Sequence, residues 1–417
     1  MTRINYPLLA LNILAVAVYF SVFFSLKTTI SSEIMFSTPD AGSYKNVADW
    51  LLYQTESESV SIRPILYPLL IMTTTKIGGV YLLWFIQFAF WLLSVNLCFL
   101  TVQHITKSTF YSFLGAVILI SNLSLIALTL HGLTEVTTVF LLSILIFYLA
   151  KRKEAYLSLP FFQFVLFMLV LLTIVKPTFY IPLLTILFIA FPLLYLKKLI
   201  KSPSSFFKLA LILLPLIVQL SIIKTKYGSL KVSLIGSITL RDYILPQGII
   251  TTEGISFDEA RIKSREFSQD EQIEYMTNHL STYLNLFFMN IKDNLNGSPT
   301  FLLFPEGYEN HEMANFECKY NKYFLILNIL FTALLIPLLF LLYKKQFFST
   351  LVFLSLAFAL WQYYVLVTGI SFMQGDRLTL PVILICACIF PITIFYYIQL
   401  MPRQKKLPAQ TESPLNN

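Results

Sequence analysis

Charge is scarce in this chain: Asp, Glu, Lys and Arg supply 12% of its 417 residues, against 57% hydrophobic residues and a mean hydropathy of +0.72. That scarcity excludes a water-soluble globular protein, whose surface needs far more charge. Cysteine is also rare. Of the four, Cys98, Cys386 and Cys388 fall inside apolar runs and Cys318 lies outside them, so no disulfide framework is expected. Cys386 and Cys388, two apart on a helix, point in different directions and make a poor metal pair. The first apolar run follows Arg3 but lacks a small-residue cleavage site, so it is expected to stay as a helix rather than leave as a signal peptide. There is no internal period of about 20–50 residues, which excludes a repeat architecture.

What the chain does have is apolar runs of the length, about 20 residues, that a helix needs to cross roughly 30 Å of hydrocarbon. They lie at Pro7 to Leu26, Val80 to Gln103, Thr109 to Leu130, Leu133 to Ala150, Ser158 to Val175 and Thr178 to Leu196. Four more follow at Phe206 to Ile223, Tyr323 to Tyr343, Phe347 to Thr368 and Leu378 to Leu400. The fold class expected is therefore an all-α polytopic membrane protein with about ten transmembrane helices. A shorter, Thr-rich apolar segment from Pro64 to Ile77 is expected at the interface, as a helix leading into the second crossing.

Lys and Arg in short loops are retained on the cytoplasmic side. Arg3, Lys107, the Lys151-Arg152-Lys153 run, the lysines at 197, 198 and 201, the pair Lys344-Lys345, and Arg403, Lys405 and Lys406 all fall on alternate loops. Both termini are then cytoplasmic, and the location expected is a bacterial inner membrane. The net charge of +8 is accounted for by these loops and the anionic headgroups beside them, and calls for no nucleic acid.

This topology leaves two long outer segments, 27–79 and 224–322, where function is expected to gather. The chain divides accordingly into an N-terminal transmembrane region (1–223) that carries the first outer loop, the large outer loop (224–322), and a C-terminal transmembrane region with a basic tail (323–417). In the large loop, Ser256 with Glu259 and Ser268 with Glu271 have capping-box spacing and predict helix starts. Beyond them Leu280, Leu284, Phe287, Phe288, Ile291 and Leu295 keep a helical period, which predicts an amphipathic helix on the membrane or on the bundle. Asn296-Gly-Ser298 is formally a glycosylation sequon and is taken as chance.

Several polar residues are not explained by topology. On a helix opening near Pro39, Asp40, Tyr44 and Ala48 share a face; Asp40 also suits the helix dipole. Arg63, in Ser61-Ile-Arg-Pro-Ile-Leu-Tyr-Pro68, fits planar phosphate contact or a snorkelling anchor. Glu135 lies at the outer turn between the third and fourth spans, where a carboxylate near apolar depth is costly. His131, one helical turn earlier, would permit a metal pair or a simple hydrogen bond. Lys176 and Arg377 run against the positive-inside trend and fit either a lipid phosphate or interfacial anchoring.

In their order along the chain these motifs resemble the GT-C integral-membrane glycosyltransferases. The resemblance rests on Asp40-x-x-x-Tyr44-x-x-x-Ala48-x-x-Leu51-Leu52, Arg63-Pro64-Ile65-Leu66-Tyr67-Pro68, Glu135, Lys176-Pro-Thr178, the segment Asn278-His-Leu-Ser-Thr-Tyr-Leu-Asn, and Gly375-Asp-Arg-Leu-Thr-Leu-Pro381. It covers nearly the whole chain. It departs from the family at Ile65, where a second proline is frequent, at Leu378, where an aromatic is, and at Ala41, where many members have a second acid.

The resemblance implies transfer of a sugar from a polyprenyl-phosphate carrier to a glycan, lipid or protein acceptor on the outer face. In that reading Asp40 is the base and Glu135 assists by binding an acceptor hydroxyl or a cation. Arg63, Lys176 and Arg377 take the phosphate, while Tyr44 and Tyr67 help hold phosphate or sugar. No cofactor is implied with certainty, and a divalent metal stays open. A polysaccharide polymerase or ligase relying on Arg241, Arg261 and Arg265, and a flippase for lipid-linked sugars, are the other readings.

Overall fold

The computed structural model describes residues 6–200, 203–297, 312–371 and 375–400, which are helical throughout without a strand. Arg3, Lys201, Ser298, Gln374, Arg403, Lys405 and Lys406 lie outside the described residues.

The first helix, α1 (Tyr6–Ser25), is followed by α2 (Pro39–Tyr53), whose start is set by Thr38: its hydroxyl accepts the Ala41 N–H at 3.2 Å, with Pro39 in the first turn. Next comes α3 (Leu66–Thr106), 41 residues long. At 1.5 Å per residue that is about 60 Å, twice the hydrocarbon thickness, so a straight helix could not lie in one bilayer. It breaks at Gly78 and Gly79, where Gly79 takes φ +64°, a conformation that costs glycine little. The segment before the break is the short helix expected between Pro64 and Ile77, and the segment after it is the second apolar run.

Helix α4 (Thr109–Ile120) bends by 62° into Leu123–Leu130, with the Asn122 side chain capping the second piece by accepting the Leu125 N–H at 2.7 Å. Then come α5 (Glu135–Lys151), α6 (Leu159–Val175), α7 (Pro177–Tyr195) and α8 (Pro203–Tyr227). Toward the C-terminus lie α13 (Glu312–Lys344), α14 (Phe348–Thr368) and α15 (Leu380–Leu400). Every apolar run expected from the sequence is helical in its described part. Among the described residues, seven helices are long and apolar enough to cross a membrane, eight if the bent pair counts as one. The protein is a multi-pass, all-α membrane protein.

The core lies where α3, α4, α5 and α15 meet, around Trp91, Phe99, Leu142, Ile146 and Leu384, all essentially inaccessible. Close backbone approach is built in at Gly115: a Cβ there would lie 2.5 Å from the Ala387 carbonyl oxygen, so α4 can sit directly on α15. Asn12 and Asn96 exchange side-chain hydrogen bonds of 3.1 and 2.8 Å between α1 and α3. Cys388 Sγ lies 3.6 Å from Cys98 Sγ, while Cys386 donates toward Asn328, so the two neighbouring cysteines do diverge.

Between α8 and α13 the chain forms a helical unit of α9 (Leu245–Glu253), α10 (Phe257–Glu266), α11 (Gln269–Asn278) and α12 (Leu280–Asn296). Both expected capping boxes are present, with the Glu259 and Glu271 carboxylates accepting back from Ser256 and Ser268. A small core of Leu245, Ile249, Ala260 and Tyr283 holds the unit together.

Helix α12 is amphipathic, with asparagines on the side that meets the bundle. Leu280 and Phe288, at 57% and 63% exposure, point outward with Leu284, while Asn290 and Asn294 are buried. The reason is that α12 docks on backbone. The Asn294 amide donates to the carbonyls of Thr368 and Ser371 at 3.0 and 2.7 Å, and Asn290 donates to that of Gly369 at 3.2 Å. Of the apolar stripe, Phe287 is pressed against Gly369 and Leu295 is buried.

The two long loops meet at one end of the bundle. Ser233 Oγ donates to the Ile62 carbonyl at 2.7 Å, Leu234 N–H to that of Ser61 at 2.8 Å, and Lys226 lies over the Trp50 ring at 4.6 Å.

Candidate functional site

At that end five charged side chains from widely separated parts of the chain form one continuous ion-paired string. Each is placed by a local rule. Asp40 stands in the first turn of α2, where a carboxylate suits the helix N-terminus. Arg63 precedes Pro64 in a segment held by α8: Gln219 Oε1 accepts the Ile65 N–H at 3.1 Å, and its amide donates to the Val232 carbonyl at 2.7 Å. Glu135 opens α5. Lys176 ends α6 because Pro177 follows it. A residue before proline is pushed out of the helical region, and Lys176 is extended at φ −138°, ψ 109°. Arg377 sits in a short 3-10 turn, Gly375–Leu378, after the segment pinned by Asn290 and Asn294.

The string runs Arg63, Asp40, Arg377, Glu135, Lys176. Asp40 accepts from Arg63 through Oδ1 and from Arg377 through Oδ2. Arg377 turns its Nε to Glu135 Oε1 at 2.8 Å, and Lys176 Nζ donates to the same oxygen at 3.3 Å. Glu135 is 1% exposed and its Oε2 has no hydrogen-bond donor among the described residues, whereas the Asp40 side chain keeps 31% of its surface open. Asp40 therefore forms the accessible part of the string, and Glu135 its buried anchor.

Three cations face two carboxylates, so the string carries a net positive charge. Burial by itself would raise the Asp40 carboxyl, but the guanidiniums of Arg377 and Arg63 outweigh it and hold the group down at about 2. Burial pulls the Lys176 ammonium below its ordinary range, and Glu135 works against that shift.

The tyrosines lie beneath. Arg63 sits 4.7 Å above the Tyr44 ring, and its Nε donates to Ser43 Oγ at 2.7 Å. Tyr67 meets Tyr44 edge-on at 5.3 Å and donates its hydroxyl to Gln87 Oε1 at 3.4 Å. Gln87 in turn donates to the carbonyls of Thr129 and His131 at 3.2 and 3.1 Å, which fixes the turn before Glu135. Gly132 of that turn has no room for a Cβ, which would fall 2.7 Å from the Phe36 ring, and its N–H donates to the Met35 carbonyl at 2.7 Å.

All seven residues singled out from the sequence are thus brought to one place, five in the string and two as its floor. Ser43, Gln87 and Gln219 were not anticipated. A lone glutamine in an apolar run is a readable signal, although its partner is not. No three His, Cys, Asp or Glu side chains converge as metal ligands among the described residues. The loop arginines expected of a polymerase or ligase, Arg241, Arg261 and Arg265, all turn onto Asp242. No protein-family model, curated protein or solved structure matches the chain.

Proposed function

We propose that this protein is a glycosyltransferase that moves a sugar from a polyprenyl-phosphate carrier to a glycan, lipid or protein acceptor, with its site on the outer face of a bacterial inner membrane. The topology that goes with this reading has about ten crossings and both termini in the cytoplasm. The observation that carries it is the string itself. One accessible carboxylate is flanked by two guanidiniums, and a further cation is tethered behind them through Glu135.

The chemistry follows from charge. A sugar hydroxyl is a weak nucleophile near neutral pH and needs a base within hydrogen-bond reach as it attacks the anomeric carbon. The bond from that carbon to the carrier phosphate breaks, and the phosphate leaves with the electron pair. Fixed guanidiniums in a site of low dielectric stabilise it. The proton passes to Asp40, and a single displacement of this kind inverts the anomeric configuration.

A carboxyl held at about 2 is a poor base as it stands. The donor resolves this. A phosphate competes with Asp40 for Arg63 and Arg377, both suited to bidentate anion contact, and every hydrogen bond it draws away raises the basicity of Asp40. The resting ion pairs thus keep the base quiet until the donor phosphate arrives, so the donor binds before the acceptor.

The test is radiolabelled-sugar transfer from a panel of polyprenyl-phosphate sugars by purified protein in nanodiscs, with transfer to water counted as turnover. Asp40→Asn is expected to lower turnover by roughly 10²–10⁴-fold while the protein stays folded. Arg63→Ala should weaken donor handling more than acceptor handling. Full activity in Asp40→Asn removes that residue from the mechanism; no turnover of any bound donor by the wild type sinks the proposal.

A further inference from the structure

The cluster around Asp242 has a charge imbalance that its own contacts leave unresolved. Asp242 lies in a five-residue π-helical turn, Leu240–Ile244, a geometry that often marks functional sites. It is buried, and both of its oxygens are taken. Arg241 and Arg265 each bind it bidentately, Nε to Oδ1 at 3.0 Å and one terminal nitrogen to Oδ2 at 3.3 Å. Arg261 comes third. Its nearest nitrogen is 3.8 Å from Oδ2, beyond hydrogen-bond reach, and its Nε is buried without an acceptor among the described residues.

Three guanidiniums therefore share one carboxylate, and none has another acidic partner among the described residues. Arg261 gains no hydrogen bond to Asp242, lies over the Tyr243 ring at 5.6 Å, and brings like-charge repulsion with it. Ser264, fully buried on the same helix, donates to the Arg241 carbonyl at 2.6 Å and locks α10 onto the π turn, which fixes where Arg261 stands. The three side chains keep 34–48% of their surface open, so a solute can reach them.

We infer that Arg241, Arg261 and Arg265 form an anion site for a phosphate group, separate from the Asp40 string, with Asp242 holding two of the guanidiniums in a fixed fork. The two uncompensated positive charges match a dianionic phosphate monoester, and guanidinium edges suit its planar pairs of oxygens. The phosphate belongs to a lipid headgroup or to a soluble phosphate; the chemistry of recognition is the same.

Arg261 makes the test clean, because removing it breaks no hydrogen bond to Asp242. Thermal unfolding is measured for wild type and Arg261→Gln in phosphatidylcholine nanodiscs, with inorganic phosphate against sodium chloride at equal ionic strength, and again in nanodiscs containing phosphatidic acid. Without phosphate, Arg261→Gln should be at least as stable as wild type. Phosphate should stabilise wild type in a saturable way, and the variant should bind it about ten- to a hundredfold more weakly, the loss expected for one charge-assisted hydrogen bond. Stabilisation by inorganic phosphate that Arg261→Gln weakens identifies a soluble ligand; stabilisation seen with phosphatidic acid alone, and weakened in the same variant, identifies the headgroup. If neither probe moves wild type beyond the chloride control, or both proteins respond equally, the site is overturned. An Arg261→Gln protein that is less stable and indifferent to phosphate makes Arg261 a structural residue, which also overturns it.

Discussion

The protein builds two clusters of arginine and carboxylate, and they balance charge differently. At the end of the bundle, three cations share two acids, and every charged group but Asp40 is almost fully enclosed. In the α9–α12 unit, three arginines share one acid and stay half in water. Burial explains the contrast. A charge taken out of water must be paired, whereas a half-exposed guanidinium is solvated and tolerates a missing partner. The excess charge in each place is then informative in proportion to its burial.

If that comparison is right, the largest stability effect belongs to Glu135. Glu135→Ala strips Lys176 of its partner and Arg377 of one of two, all at a fully enclosed position. The expected cost is about 3–5 kcal/mol in equilibrium unfolding, with Glu135→Gln losing less because its amide oxygen still accepts. A cost below about 1 kcal/mol for Glu135→Ala would mean that water reaches the string, and the distinction between the clusters would collapse.

Asp242→Asn should cost less, about 1–2 kcal/mol, since the arginines it releases are already solvated. Its effect should also be local. Hydrogen exchange is expected to speed up over 240–266, where Asp242 and Ser264 join the π turn to α10, and to stay unchanged in the core helices. Global loosening in this variant would show that the α9–α12 unit supports the bundle.

The sequence made the apolar runs legible because the bilayer imposes a length on them, and the capping boxes legible because both partners lie three residues apart. Lys176 and Arg377 stood out because they opposed the positive-inside trend. What it hid were pairings over long separations. Nothing near Ser43 points to Arg63, nothing near Gln219 points to Ile65, and Arg241 and Arg265 meet only because α10 folds back on the π turn at Leu240–Ile244. The apolar period of α12 was readable, but its docking contacts were not: two asparagine amides reach the Thr368–Ser371 carbonyls from more than 70 residues away in sequence.

The smallest effect, and the sharpest on the comparison, is the response to acid and salt together. Asp40 and Asp242 are both held at about 2, in each case because flanking arginines overcome the upward push of burial. An unfolded aspartate titrates near 3.9, so each group contributes stability that is complete above about pH 4 and is lost as pH falls toward 2. Neither should alter stability between about pH 5 and 8. Salt separates them. At about 1 M ionic strength the Debye length is near 3 Å, short enough to screen the half-exposed arginines around Asp242 more than the nearly enclosed Arg63 and Arg377 beside Asp40. The acid-induced loss that disappears in Asp242→Asn should therefore shrink with salt, while the loss that disappears in Asp40→Asn should not. Equal salt sensitivity in the two variants would place Arg63 and Arg377 in water as fully as Asp242's arginines, and would weaken the argument that the base strength of Asp40 is set by an enclosed, donor-responsive pair of guanidiniums.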